Sequence, residues 1–348
     1  MTARLRVGIV GYGRVGKALA ELLEAKRASL AAEGLELTLT CVLTSRGGLF
    51  APDGLDCGRL SELARRGEPL ESVHGFDRSL NFEVLLSRKA FDLLAEFTPT
   101  NRFTGEPGLS HIRSALKNGL HVVTGNKGPF LVAWDELFSL ASASTSGRPL
   151  LLGIGCTAGG ALPSLLNARE ALAGSEVLLV EGVLNGTTNF ILSRMERGAS
   201  FSEALIEAQK DGVAETDPSA DVEGWDTAAK LVIVANAAMH THLRLQDLSV
   251  TGIQNVSPAE VRRALEGGGR LRLIGEARRE GNGVRASVAP RTLDASHPFR
   301  WLSDKNKAVR YLSDTLGELV ILGGASSPVS AAASALRDIV NARRSGLF

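Results

Sequence analysis

Between Glu215 and Lys230 the chain sets Glu215, Asp217, Asp221, Glu223 and Asp226, more carboxylates than a loop needs, and closes the stretch on a lysine. Asp226 and Lys230 stand four residues apart, on one helix face, where an acid and a base can pair. A helix N-cap with a surface partner would explain Asp226 equally well. The helix runs on through Leu231-Val232-Ile233-Val234-Ala235, so its body is buried. Lys230 then sits where burial and neighbours can tune an amine for proton transfer. A second lysine, Lys127, ends the run Thr124-Gly125-Asn126-Lys127. At a strand end it can meet a substrate oxygen or a cofactor carboxamide, or it can simply be solvated.

Gly11-Tyr12-Gly13-Arg14-Val15-Gly16 supplies a different chemistry. It is a GxGxxG turn directly after a buried strand and directly before an amphipathic helix, the context that makes the motif specific for a dinucleotide. The first glycine allows the tight turn and the second lets backbone approach a pyrophosphate. The third lets helix pack on strand, and the helix N-terminus attracts the phosphate charge. The next strand ends Leu43-Thr44-Ser45-Arg46, with no acid for a ribose 2′-hydroxyl and an arginine that would welcome a 2′-phosphate. That leans toward NADP, with NAD possible and a solvated loop arginine as the alternative. Thr98, in Thr98-Pro99-Thr100-Asn101, stands at another strand end where ligands bind, or in an ordinary turn.

The elements that must position these groups alternate at first. Strands are expected at Leu5–Val10, Leu35–Leu43, Asp92–Phe97 and His121–Thr124, and helices at Val15–Ala32, Gly108–Asn118 and Pro129–Ser144. Residues 46–75 look irregular, with one short helix. This is a doubly wound parallel sheet of Rossmann type. The small polar stretch 142–147 marks a hand-over. Beyond it, strands at Leu150–Ile154, Glu176–Val183, Arg270–Glu276 and Val284–Pro290 mix with helices at Thr187–Arg197, Phe201–Lys210 and Thr227–Met239. That is an α+β layout. The tail, Gly317–Arg343, reads as strand, glycine turn and helix, able to rejoin the first domain. The expected domains are 1–141 for the dinucleotide, 142–310 for substrate, and a returning segment, 311–348.

The bulk numbers bound the function. The chain has 348 residues, 44% hydrophobic and 22% charged, with a net charge of +1. Nothing suggests capture of nucleic acid or an anionic membrane. No apolar run approaches roughly 18 residues, and no signal-peptide layout is read, so a cytoplasmic protein is expected. Cys41, Cys57 and Cys156 lack metal or disulfide spacing. Cys156, in a glycine-rich stretch, is the one candidate thiol nucleophile.

With these residues in view, the sequence resembles the homoserine dehydrogenase family. Gly182-Val183-Leu184-Asn185-Gly186-Thr187-Thr188-Asn189-Phe190-Ile191-Leu192 is similar to that family's GxLNGTTNxIL hallmark. Ala214-Glu215-Thr216-Asp217-Pro218 through Asp221, Gly224, Asp226 and Lys230 is similar to its acidic motif, and Thr124-Gly125-Asn126-Lys127 to its TxNK element. The resemblance covers almost the whole chain.

The resemblance implies NAD(P)-dependent interconversion of L-aspartate 4-semialdehyde and L-homoserine, in threonine, methionine and isoleucine biosynthesis. Lys127 and Lys230 would face the reacting oxygen, with Lys230 exchanging the proton. Glu215, Asp221 and Asp226 would hold the substrate ammonium or position Lys230. Thr187 and Gly186 would line the substrate pocket, and Gly212 would border the cofactor. A structural monovalent cation, usually sodium, would be held by the backbone carbonyls of Gly155, Ala158, Gly160 and Leu162. A homodimer through the second domain is implied. Val213 stands where the family commonly has Tyr, and Gly125 where it often has Ala or Pro. Gly323-Gly324-Ala325-Ser326 replaces a GxGAG-like turn over the cofactor, with Gly324 as its binding glycine. No ACT-like or aspartate kinase domain is expected. A related dehydrogenase of another amino-acid-derived aldehyde, and a dinucleotide-sensing regulator without turnover, are the competing readings.

Overall fold

A computed structural model describes residues 2–143, 147, 149–324 and 327–348. The chain divides into two units, one running to Thr157 and resuming at Ser327, the other comprising the residues between.

The first unit is built on β1 (Ala3–Val10), β2 (Leu35–Thr44), β3 (Gly47–Phe50), β4 (Leu93–Glu96), β5 (His121–Thr124) and β6 (Leu152–Gly153), in the order β3-β2-β1-β4-β5-β6. All pairings are parallel except the β2–β3 hairpin. β1 is flanked by β2 on one side and β4 on the other, so strand order reverses there. The carboxyl ends at such a reversal form a ligand crevice. Val7, Ile9, Leu93, Ala95 and Val123 fill the centre without exposure. The C-terminal helix, Pro328–Arg344, adds Ala332, Ala335 and Ile339 to the same core. An apolar run buried on both faces is what a covered parallel sheet demands.

Several boundaries depart from the sequence reading. The helix expected over Val15–Ala32 is two, Arg14–Ala25 and Arg27–Ala32, broken where Lys26 leaves helical backbone (ψ 7°). The one expected from Pro129 is also two, Gly128–Val132 and Trp134–Ser142, parted at Ala133; its end and half of the 142–147 hand-over, residues 144–146, lie outside the described residues. Residues 46–75 hold a strand, β3, besides the Cys57–Arg65 helix. The first unit also extends past 141, because β6 still pairs with β5.

The second unit carries β7 (Val177–Val183), β8 (Ser249–Val250), β9 (Arg270–Glu280), β10 (Gly283–Leu293), β11 (Lys307–Ser313) and β12 (Glu318–Gly323), ordered β12-β11-β7-β9-β10-β8. The sheet is antiparallel except for β8 on β10. The β9–β10 hairpin keeps register from Gly283 opposite Glu280 to Leu293 opposite Arg270, longer than alternation alone suggested. The Trp225–Met239 helix packs on β7 and β9, with Leu231 through Ala235 fully buried. β11 and β12 belong to this sheet. The returning segment therefore begins at the C-terminal helix and not at 311.

Candidate active site

In the first unit the glycine turn has the shape its sequence requires. Gly11 adopts φ +94°, and a Cβ there would lie 2.4 Å from the carbonyl carbon of Phe97, at the end of β4. A Cβ on Gly16 would lie 2.6 Å from the Gly11 carbonyl oxygen and 3.0 Å from the Ile9 side chain, so helix meets strand closely. Gly13 differs: an added Cβ meets nothing within 4 Å. That space is what an approaching pyrophosphate needs. Gly13 also caps the Arg14–Ala25 helix without a side-chain bond, and no acid lies in the first turn. The helix end therefore keeps its positive dipole for an anion.

The motif's side chains divide. Tyr12 is 6% exposed and packs in the core, so only its backbone faces the turn; its amide donates to the Leu43 carbonyl at 3.2 Å. Arg14 is exposed, and Val15 is half-buried against the core. Arg46 follows β2, next to the turn that the Gly11 amide fixes on Leu43 (3.0 Å). Its Nε meets Glu71 Oε1 at 2.6 Å. Glu71, missed by sequence reasoning, stands on a short 3-10 turn, and its Oε2 is buried with no hydrogen-bond partner among the described residues. The arginine's charge is thus offset by a carboxylate beside it.

The ends of β4 and β5 form one polar lattice. Glu96 is wholly buried, and it accepts from the Thr98 amide at 3.1 Å and from the Thr98 hydroxyl. Asn126 donates to the Thr98 carbonyl (3.2 Å) and accepts from the Gly128 amide (3.1 Å). Its own amide donates to Thr124 Oγ1 (2.9 Å). These bonds fix the backbone on both sides of Lys127, which is half-buried and opens the Gly128–Val132 helix. Thr98 is therefore a structural tie within the strand ends. Glu96 gave no chemical signal in the sequence, and Asn126 was visible only as a member of the Thr124–Lys127 element.

In the second unit, Asn185 caps the Gly186–Glu196 helix: its Oδ1 accepts from the Thr188 amide at 2.9 Å. That leaves Nδ2 to donate to Asp221 Oδ1 (2.6 Å) and Asp226 Oδ2 (2.8 Å). The carboxylates are brought together by Gly224, which turns at φ +90° between the Ser219–Val222 and Trp225–Met239 helices. Lys230 Nζ donates to Asp226 Oδ2 at 2.5 Å and to the Leu184 carbonyl at 3.0 Å. Both side chains are mostly buried, Lys230 13% and Asp226 16% exposed. Burial first, then the negative charge of Asp226, pushes the Asp221 carboxyl up from its ordinary range.

The N-cap reading of Asp226 is corrected. The cap position is Gly224, and no side chain caps this helix. Asp226 lies inside the first turn with Asn185 and Lys230 as its partners. Thr187 donates to the Val213 carbonyl at 3.0 Å and also bonds Asp221. Gly186 starts its helix 3.0 Å, measured to an added Cβ, from the Lys305 carbonyl. Glu215 is exposed, and its carbonyl accepts from Gln209 at 3.3 Å. Gly212 closes the Phe201–Lys210 helix, donating to the Gln209 carbonyl. Gly324 packs on the backbone of Leu162, 2.6 Å from its nitrogen to an added Cβ. Ala325 and Ser326 of that turn lie outside the described residues.

The carbonyls expected to hold a monovalent cation are in part already engaged within the protein. The Ala158 carbonyl accepts from the Ser164 hydroxyl, and the Leu162 carbonyl from the Ser164 amide at 2.8 Å. Lys307, 1% exposed, donates its ammonium to the Gly159 carbonyl, and Gly160 lies beside it. Gly155, in the first unit, donates its amide to Asp338 Oδ2 at 2.8 Å. The thiol alternative also fails to gain: Cys41, Cys57 and Cys156 are all buried. Burial pushes Cys41 up to about 12 and Cys57 up to about 11.

Two family descriptions match this chain: homoserine dehydrogenase over residues 163–340, and the NAD-binding domain of homoserine dehydrogenase over residues 11–148. The chain belongs to the homoserine dehydrogenase family. Among its relatives, a homoserine dehydrogenase of Methanocaldococcus jannaschii is 34% identical, over 96% of this chain and 97% of that protein. An NAD(+)-dependent homoserine dehydrogenase of Pseudomonas canavaninivorans is 37% identical, over 98% and 96% respectively. A solved structure from Archaeoglobus fulgidus superposes with a TM-score of 0.85 at 34% identity, covering 97% of this chain and 98% of that one. The chain is accordingly an NAD(P)-binding oxidoreductase with a small-molecule substrate. No helix among the described residues is long and apolar enough to cross a membrane.

Proposed function

We propose that the chain interconverts L-aspartate 4-semialdehyde and L-homoserine, with Lys230 exchanging the proton at the substrate's terminal oxygen. The reading rests on the Asp226–Lys230 pair, because the acid partner and the Leu184 carbonyl fix an ammonium that is mostly withdrawn from water. The bound dinucleotide supplies hydride exchange with the carbon bearing that oxygen. Lys230 offsets the charge that develops on the oxygen and carries its proton, help worth roughly 10²–10⁴-fold. Lys127 is assigned to the same oxygen as a second cation. Asp221, with Glu215, is assigned to the substrate ammonium, while Asp226 orients Lys230. The activity places the protein in threonine, methionine and isoleucine biosynthesis.

For the dinucleotide, the Arg46–Glu71 pair favours NAD over the NADP that Arg46 alone suggested. A carboxylate 2.6 Å from the guanidinium offsets its charge and would repel a 2′-phosphate. A homodimer remains part of the proposal, to be measured by light scattering. The deciding experiment is initial rates with homoserine and with other amino-acid-derived alcohols, using NAD and NADP in turn, for the wild type and Arg46→Ala. Turnover of homoserine with NAD ahead of NADP is expected. Turnover confined to another alcohol would replace the substrate. Dinucleotide binding with no turnover of any of them would leave a sensor.

A further inference from the structure

Lys307 is among the largest side chains of the molecule that are fully buried, and it takes no part in the chemistry above. It opens β11, opposite Gly323 of β12. Its stem enters the unit's interior on the same strand face as Tyr311, four residues on, because side chains of a strand repeat every second residue. Both reach one segment. The Lys307 ammonium donates to the Gly159 carbonyl, and the Tyr311 hydroxyl donates to the Ser164 carbonyl at 2.8 Å. Gly159 and Gly160 both hold positive φ, +117° and +62°, which turns successive carbonyls out of any regular ladder. Gly324, next to the strand partner of Lys307, closes on Leu162 of the same segment. A turn of irregular carbonyls beside β11 and β12 thus receives a buried lysine head at the Gly159 carbonyl.

An ammonium removed from water is costly unless acceptors replace its hydration shell. Carbonyl oxygens are the acceptors that serve an alkali cation equally well, since both are satisfied by several partial negative charges and need no carboxylate. A second positive charge within a few ångströms of the first would be strongly repelled. Two carbonyls that a free ion would use are already engaged by Ser164.

We propose that the Lys307 ammonium is a built-in cation for the 158–164 segment, taking the place of a bound monovalent ion and making this chain's stability independent of sodium and potassium. The consequence concerns folding of the second unit, so its test does not depend on which alcohol the enzyme turns over.

The experiment is thermal unfolding in a buffer free of alkali cations, with sodium, potassium or ammonium chloride titrated in and tetramethylammonium chloride as the ionic-strength control. For the wild type, the three small cations should shift Tm no more than the control does, and sodium-23 line widths should show no saturable binding. A saturable sodium-specific rise in Tm would overturn the proposal without any variant. Lys307→Met, which keeps the stem and removes the charge, should lose about 5 °C or more in the cation-free buffer and regain most of it with a small cation. A variant as stable as the wild type without cations, or one that no small cation restores, would overturn it as well. If that variant does not fold, the wild-type titration still decides.

Discussion

The first unit offers a ligand mainly backbone and open space, whereas the second offers charged side chains held by one another. Around Gly11, Gly13 and Gly16 the work is done by missing atoms: two glycines permit close contact and the third leaves room. Around Asn185, Asp221, Asp226 and Lys230 every feature is a polar head within hydrogen-bond reach of another. Binding a pyrophosphate needs fixed dipoles and steric permission. Moving a proton needs a group whose charge can change, supported by neighbours that do not move. The difference predicts that damage to the two units separates into binding and turnover.

The largest effect should come from Lys230→Ala. Loss of the proton-exchanging amine is expected to lower kcat by at least about 100-fold while dinucleotide affinity, measured by fluorescence titration, stays within a few-fold of wild type. Near-normal turnover would remove Lys230 from the mechanism and the comparison with it. The reciprocal substitution is Gly13→Val. A Cβ added there meets no protein atom within 4 Å, so stability should hold. The dinucleotide KM should rise about 10–100-fold, with kcat at saturation much less affected. An unchanged dinucleotide KM would show that the space beside Gly13 is not where the cofactor lies.

The two regions also differed in how far the sequence disclosed them. Missing atoms are visible in a sequence: GxGxxG after a buried strand specified the turn, its helix and the strand before it. Alternating strands and helices likewise disclosed the parallel sheet. The proton-handling cluster was visible only as composition. The spacing of Asp226 and Lys230 gave their pairing, but not that Gly224 would take the cap position and free Asp226 for two partners. Asn185 lies far from both in sequence, and its cap pattern says nothing of what its other amide atom will meet. Glu71 and Lys307 were silent for the same reason, since a charge is functional or solvated according to what the fold brings beside it. β11 escaped notice because its residues mix Lys307, Arg310 and apolar positions, and its pairing with β7 is long-range.

Asp221→Asn sharpens the comparison through pH. Burial, and then the charge of Asp226, raises the Asp221 carboxyl. A carboxyl raised on folding adds stability below its unfolded value and loses it as pH climbs through the folded value. The variant should therefore lose less stability than wild type between the ordinary carboxylate range and neutrality, as followed by urea unfolding. In catalysis the ionised form is the one assigned to the substrate ammonium. The wild-type kcat/KM for homoserine should thus fall on acidification above the ordinary carboxylate range. The variant should lose that limb and raise the homoserine KM about 10-fold. An acid limb that survives in the variant would move the ammonium site to other carboxylates.

The smallest effect tests whether side-chain charge matters in the unit where backbone dominates. Arg46 is 66% exposed, so its pairing with Glu71 is screened by water and worth little as stability. Its weight lies in selectivity, because the same guanidinium cannot both answer Glu71 and meet a 2′-phosphate at full charge. Glu71→Gln keeps the size of the side chain and removes its charge. The ratio of kcat/KM with NADP to that with NAD should rise about 3–5-fold, with Tm nearly unchanged. Arg46→Ala should instead leave NAD nearly unaffected and lower NADP use further. If Glu71→Gln leaves the ratio where it was, the carboxylate does not reach the adenosine end, and dinucleotide choice is made by the backbone that shapes the rest of this unit.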